Sequence, residues 1–233
     1  MSMRINAELE GGSCSDILTS RGAKLPHSPD RRILQRLTQP VFPVPAGTIL
    51  HRIYFRGGRY ACTWKSLRHF GPADARFDHH KRDRSGRPFD QARGIICLAS
   101  DIPTALADVF QVGRMVDRER HQPWLASFAL TREVRLLDLS GMFCVQAGGS
   151  MKLISGPKTY ARNWSRAFYA CYGNIEGICY PSSLTNRPVA ALYERVSQSP
   201  PFPSTPALHR ALTDALLVDP IRGACRDIGY NFL

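Results

Sequence analysis

Apolar positions in this chain fall into short strand-length runs and a few stretches of helical spacing, separated by long polar intervals. Gly94 to Ala99 is an apolar, β-rich run that predicts a strand. Directly after it, Asp101 is placed to cap a helix and Pro103 suits its first turn, while Ile102, Leu106, Val109, Phe110 and Gly113 keep helical spacing. Thr48 to Phe55 predicts another strand. Trp124 to Leu130 and Val134 to Leu139 read as a pair of strands joined by Thr131-Arg132-Glu133. A second helix is expected with Thr159 as its cap, Tyr160, Trp164, Ala167, Phe168 and Cys171 at helical spacing, and Gly173 at its end. Gly177 to Tyr180 is a short strand, and Val189 to Val196 is a further strand or strand-like edge.

The intervals carry information too. Arg56 to Arg93 is polar and rich in glycine and arginine; so long a loop region in a compact domain points to a binding site or a lid. Gly141 to Pro157 also reads as loop. Residues 1–45, with Gly11-Gly12 and prolines 26, 29, 40, 43 and 45, read as an N-terminal extension whose one short helix spans Arg31 to Leu37. Pro200-Pro201-Phe202-Pro203 marks a boundary, so residues 198–233 are expected as a C-terminal helical add-on with its helix over Ala207 to Val218. The body is then 46–197. Neighbouring strands without intervening helices argue against a doubly wound sheet; the expected class is α+β, a compact mixed sheet core with flanking helices.

With 233 residues, 43% of them hydrophobic, the chain can build one sizeable core. No apolar run approaches the roughly 20 residues that span a bilayer, and the first residues lack the apolar stretch of a secretory signal, so a cytoplasmic protein is expected. Seven cysteines, an odd number with no Cys-x-x-Cys pair, read as free thiols, and Cys97, Cys171 and Cys179 lie inside apolar patterns that would bury them. The net charge of +12 attracts anionic partners in general, but the basic residues are dispersed. The densest stretch, Lys81-Arg82-Asp83-Arg84, has no interleaved aromatics, which argues against direct nucleic-acid binding. Asp78-His79-His80 suggests a metal at first sight, but adjacent histidines on a strand face opposite ways, and no metal is expected.

Several segments in order carry a family resemblance: His51-Arg52-Ile53-Tyr54, Ala75-Arg76-Phe77-Asp78, Cys97-Leu98-Ala99 with Thr104-Ala-Leu-Ala-Asp108, Leu137-Asp138-Leu139, Gly177-Ile-Cys-Tyr-Pro-Ser182, and Ala191-Leu-Tyr. Together they resemble the RES domain, named for an arginine, a glutamate and a serine. The resemblance implies a fold related to ADP-ribosyltransferases and cleavage of the nicotinamide–ribose bond of NAD by hydrolysis or phosphorolysis. NAD is then a substrate, with inorganic phosphate as a possible co-substrate and no cofactor. It also implies a helix-turn-helix antitoxin, or another inhibitory protein, as partner. Arg52 carries over as the family arginine and Ser182 as the serine, with Ser183 the alternative one residue on. The family has glutamate where this chain has Asp108, and tends to have tyrosine where it has Cys97. Some members are described as ADP-ribosylating a protein, and a non-catalytic binding module on the same fold is a third reading.

The residue types suit that chemistry. Breaking the nicotinamide–ribose bond builds positive charge on the ribose, and a fixed carboxylate such as Asp108 stabilises it. A pyrophosphate asks for the planar fork of arginine, which Arg52 and Arg76 supply. Ser182 can donate to a phosphate or an amide, and Tyr54, Phe77 and Tyr180 can stack on a ring. Each also has an ordinary reading: Arg52 on an edge strand, Asp108 as a solvated helix acid, Ser182 in a turn, and the aromatics as core. No Gly-x-Gly-x-x-Gly follows a strand, so a Rossmann mode of holding NAD is not expected.

Overall fold

The apolar run at 94–99 is the second half of an eleven-residue strand, and the rest of the fold is arranged around it. The computed structural model describes residues 27–233, so Cys14 and most of the glycine- and proline-rich start of the expected extension lie outside the described residues. The elements in chain order are α1 (Arg31–Arg36), β1 (Val41–Val44), β2 (Ile49–Phe55), β3 (Arg68–Gly71), β4 (Phe89–Ala99), α2 (Ile102–Val109), β5 (Met115–Val116), β6 (Pro123–Ala129) and β7 (Val134–Asp138). Then follow α3 (Phe143–Gln146), α4 (Lys152–Ser155), α5 (Lys158–Cys171), β8 (Gly177–Pro181), β9 (Pro188–Tyr193), β10 (Leu208–Ala211), α6 (Val218–Ile228) and β11 (Asn231–Phe232).

Eight strands form one path in the order β1-β7-β8-β9-β4-β2-β6-β10, with β3 added on β4; β5 and β11 make a small separate ladder. Only β7 and β8 run parallel within the main sheet, and the rest is antiparallel. The α+β class is therefore the observed one. Helix α5 lays Trp164 and Phe168, both fully buried, on the β7–β8–β9 half. Helices α2 and α6 cover the β2–β6 half with Leu106 and Ile221. Truncating aromatics buried this deeply typically costs about 3–5 kcal/mol, so α5 is firmly tied to the sheet.

The weakest seam in the sheet sets up the site. Strand β2 pairs with β6 at seven positions but with β4 at one only, His51 opposite Ala99. Beyond that pair the strands part. Strand β3 rejoins this edge of β4 at Arg68 opposite Ile95, so among the described residues Cys97, midway between, has a strand only on its β9 side.

Several expectations need correcting. The strands at 124–130 and 134–139 exist but do not pair with each other, because β6 joins β2 and β10 while β7 joins β1 and β8. Strand β9 is interior, between β8 and β4, not an edge. Helix α5 begins at Lys158 after Pro157, with no side-chain cap, so Thr159 lies inside it, and it ends at Tyr172. The 141–157 interval holds the single-turn helices α3 and α4. No helix fills 207–218. Leu208–Ala211 instead satisfies the open backbone edge of β6 as β10, and the helix starts at Val218, with Pro220 in its first turn and Gly229 closing it at φ +67°. The tail from 198 thus extends the main sheet and packs α6 on α2. All six described cysteines are free, but of the three expected to be buried Cys97 is exposed and Cys171 and Cys179 are half-buried. Among the described residues no helix is long and apolar enough to cross a membrane.

Candidate active site

The parting of β2 from β4 opens a cleft, and the chain delivers polar side chains to it from both sides. Arg52 follows His51, the one residue of β2 that pairs with β4. Its Nη1 donates to the carbonyls of Thr63 (3.2 Å), Trp64 (2.8 Å) and Ser66 (2.9 Å), which fixes the guanidinium and leaves its other edge free of protein partners among the described residues. Burial lowers its pKa, and it forms no ion pair with a carboxylate among the described residues. Cys97 forms the cleft floor. Its side chain is open to solvent yet ringed by protein, and that surrounding pushes the thiol up to about 11, so it stays protonated and weakly nucleophilic at neutral pH.

The acid arrives on α2. Asp101 Oδ1 accepts the Thr104 amide at 2.8 Å, with Pro103 in the first turn, as the sequence predicts, and Asp108 lies in the last turn. Ser182 sits in the turn after β8, closed by the Asn186 amide on the Ser182 carbonyl. Its hydroxyl, 3% exposed, donates to Asp108 Oδ1 at 3.0 Å. Residues 74 positions apart therefore meet in one pair. Burial raises the Asp108 pKa, opposed by the Ser182 hydroxyl and by the Arg76 and Lys158 charges. Arg76 is anchored by Nη1 on the Gly156 carbonyl at 2.6 Å, and its Nη2 reaches Ser183 Oγ at 3.4 Å.

The structure thus gathers Asp108, Ser182, Ser183 and Arg76 on one wall and Arg52 and Cys97 at the fork. It does not bring the three candidate aromatics to the opening, Tyr180 being buried at 7% exposure. Tyr54 is 2% exposed, and its hydroxyl bonds His209 Nε2 at 2.7 Å and accepts Arg56 Nε. Phe77 is 1% exposed and packs on Tyr180, with ring centroids 4.5 Å apart. As placed, none of the three offers a face to a ligand, whereas the sequence reading put them at the substrate. Two hollows lie elsewhere. One of about 530 Å³ beside Arg132, Glu176 and Arg195 is lined by charges already paired internally. One of about 410 Å³ lies behind the 182–187 turn, against Pro103, Ala107 and Tyr230.

Asp78, His79 and His80 also need revisiting. They lie in a loop, not on a strand, and their ligand atoms fall within 4.8 Å of one another, so the opposite-face argument against a metal does not apply. Asp78 and His80 are nonetheless committed, while neither ring nitrogen of the buried His79 has a hydrogen-bond partner among the described residues. Asp78 accepts the Ala73 amide, the His80 amide, His80 Nδ1 and Arg68 Nη2, and His80 Nε2 faces the Arg93 carbonyl. Sequence reasoning missed Arg68 altogether. Its signal was the conjunction of an arginine with the Asp-His-His triplet, inside an interval with no periodicity to place either.

A family model described as RES domain matches residues 49–213. The search of curated proteins returned no match. Among solved structures, the chain is similar to one in the crystal structure of the M. tuberculosis MbcT–MbcA toxin–antitoxin complex. The TM-score is 0.54 at 14% identity, covering 85% of this chain and 94% of that one. At that identity the likeness is one of fold.

Proposed function

Because this chain belongs to the RES domain family, we propose that it is a toxin-type enzyme that consumes NAD by cleaving the nicotinamide–ribose bond. The observation that carries the reading is the part-buried Ser182–Asp108 pair facing a cleft whose fork holds Arg52, a cation that forms no ion pair with a carboxylate among the described residues. In this reading Asp108 stabilises the positive charge that develops on the ribose as nicotinamide leaves. Ser182 fixes the carboxylate through its hydrogen bond, Arg76 keeps it ionised, and Arg52 binds phosphate through its free edge. The bond electrons depart with the nicotinamide ring nitrogen, whose positive charge they neutralise, and water or phosphate then takes the anomeric carbon.

The partner follows the same line. The similar structure is that of a toxin held by an antitoxin, which supports an inhibitory protein as the natural cover of the cleft here. The test is to incubate purified protein with NAD, with and without inorganic phosphate, and resolve the products by NMR. Nicotinamide with ADP-ribose marks hydrolysis, and nicotinamide with a phosphorylated ADP-ribose marks phosphorolysis. Arg52→Ala is expected to lower turnover at least about 100-fold. NAD left intact under both conditions refutes the reading for the isolated chain. Label transferred to lysate proteins instead would redirect it to ADP-ribosyl transfer.

A further inference from the structure

Two guanidiniums, those of Arg52 and Arg68, flank the stretch of β4 whose edge opposite β9 is open. Strand β2 leaves β4 at Ala99 and β3 meets it at Ile95, four residues or about 13 Å along the strand. Arg52 stands at the first junction and Arg68 at the second, with Cys97 exposed between them. The segment linking β2 to β3 ties the two together, because the Ser66 carbonyl that accepts Arg52 lies two residues before Arg68. Arg68 is close enough to depress the Arg52 pKa, and both act on the Cys97 thiol.

Each arginine is held from behind. Arg68 donates Nη1 to the Phe70 carbonyl and Nη2 to Asp78 Oδ2 at 2.8 Å, and its side chain keeps 31% exposure. Asp78 is fully buried and locked by His80 and the Ala73 amide, so the carboxylate cannot swing away. Gly71 makes room for this arrangement, since a Cβ there would fall 2.8 Å from Arg68 Nη1 and 2.5 Å from the His80 ring. Among the described residues Arg52 has carbonyl partners but no carboxylate within ion-pair distance. Two fixed cations facing one gap, with one carboxylate between them, leave a positive charge that a bound anion would neutralise.

We propose that Arg68, positioned by Asp78, forms with Arg52 a two-arginine site over Cys97 that grips the pyrophosphate of a dinucleotide. The site deepens the proposed function and rests on it for the identity of the ligand. It divides the cleft: the phosphates lie at the Arg52–Arg68 fork, and the ribose to be cleaved lies at Asp108 and Ser182. Arg68 is thereby a binding residue, and Asp78 a positioning residue that acts through it.

The experiment measures binding of inorganic pyrophosphate to the full chain by calorimetry, for wild type, Arg68→Ala, Arg68→Lys and Asp78→Asn. Alkylation of Cys97 by iodoacetamide is followed in parallel by mass spectrometry. Pyrophosphate is expected to bind wild type and shield Cys97. Arg68→Ala should weaken binding at least about tenfold and abolish the shielding, while Arg68→Lys, with charge but no fork, should fall between. Asp78→Asn should weaken binding and raise KM for NAD more than it lowers kcat. Circular dichroism checks folding, and should Arg68→Ala fail to fold, Arg68→Lys decides by the same two readouts. Equal binding and equal shielding in wild type and the Arg68 variants overturn the site, as does a wild type that binds no pyrophosphate. Nicotinamide release is scored separately. Arg68-dependent pyrophosphate binding without NAD cleavage sinks the proposed function and keeps the site; NAD cleavage with Arg68-independent binding does the reverse.

Discussion

Asp108 is asked to be charged in a place that disfavours charge. Burial raises its pKa, and Ser182, Arg76 and Lys158 pull it back only in part. A folded pKa above the unfolded value means that this group's stabilisation is complete below the unfolded pKa and is lost as pH rises through the folded one. At pH 7 the ionised acid therefore costs stability. Asp108→Asn is expected to raise the Tm at pH 7 while lowering NAD turnover on the order of 100- to 1000-fold. A lower Tm with turnover intact would remove Asp108 from the chemistry. Ser182→Ala deletes a donor to the carboxylate, so the acid limb of kcat/KM should move to higher pH; an unmoved limb would make the serine a turn residue only. At this scale the sequence was legible where residues sit in ordered segments: Arg52, Asp108 and Ser182 could be placed by their neighbours. It was illegible for Tyr54, Phe77 and Cys97, because whether a strand or loop residue faces core or cleft depends on where the sheet parts. No local pattern records that.

The elements that hold the site were read unevenly, and the reasons are physical. Helix α2 was legible to its cap because capping is local: Asp101 and Thr104 are three residues apart. Asp101→Ala is expected to cost about 1 kcal/mol in urea denaturation and to lower turnover through looser placement of Asp108 one helix away. An unchanged midpoint would count against the cap as an anchor. Pairing, by contrast, is not local. Strands β6 and β7 are adjacent in sequence yet lie in opposite halves of the sheet, because the partners they choose, β2 and β8, come from distant parts of the chain. The 207–218 segment has leucines at spacings that suit a helix, but an open strand edge on β6 captured its backbone. Local propensity lost there to an unsatisfied ladder formed by residues more than 80 positions earlier.

Across the whole molecule, two acids on the β4 side of the seam, the half-buried Glu194 and the buried Asp78, tie α5 and the loop after β3 to the sheet. Glu194, just past β9, accepts the Gly94 amide of β4 at 2.9 Å and the Tyr169 hydroxyl of α5 at 2.5 Å. His79 Nε2 stands 3.5 Å away, an ionic contact too long to count as a firm hydrogen bond. Burial alone would raise the Glu194 pKa; His79, the Gly94 amide and the Tyr169 hydroxyl overcome it and hold the carboxyl at about 2. Asp78 is shifted the same way, with burial overcome by His80 and Arg68. For acids whose folded pKa is depressed, the stabilisation is present above the unfolded pKa and disappears as pH falls through the folded one. The protein should therefore lose stability steeply between about pH 4.5 and pH 2, where unfolded carboxyls titrate first. Glu194→Gln should cost on the order of 2–3 kcal/mol at pH 7, with the gap to wild type closing toward pH 2. Thermal melts across pH 7 to 2.5 measure both. If the two proteins melt together at pH 7, Glu194 is no tie, and β4, β9 and α5 are held to one another by strand pairing and apolar packing alone.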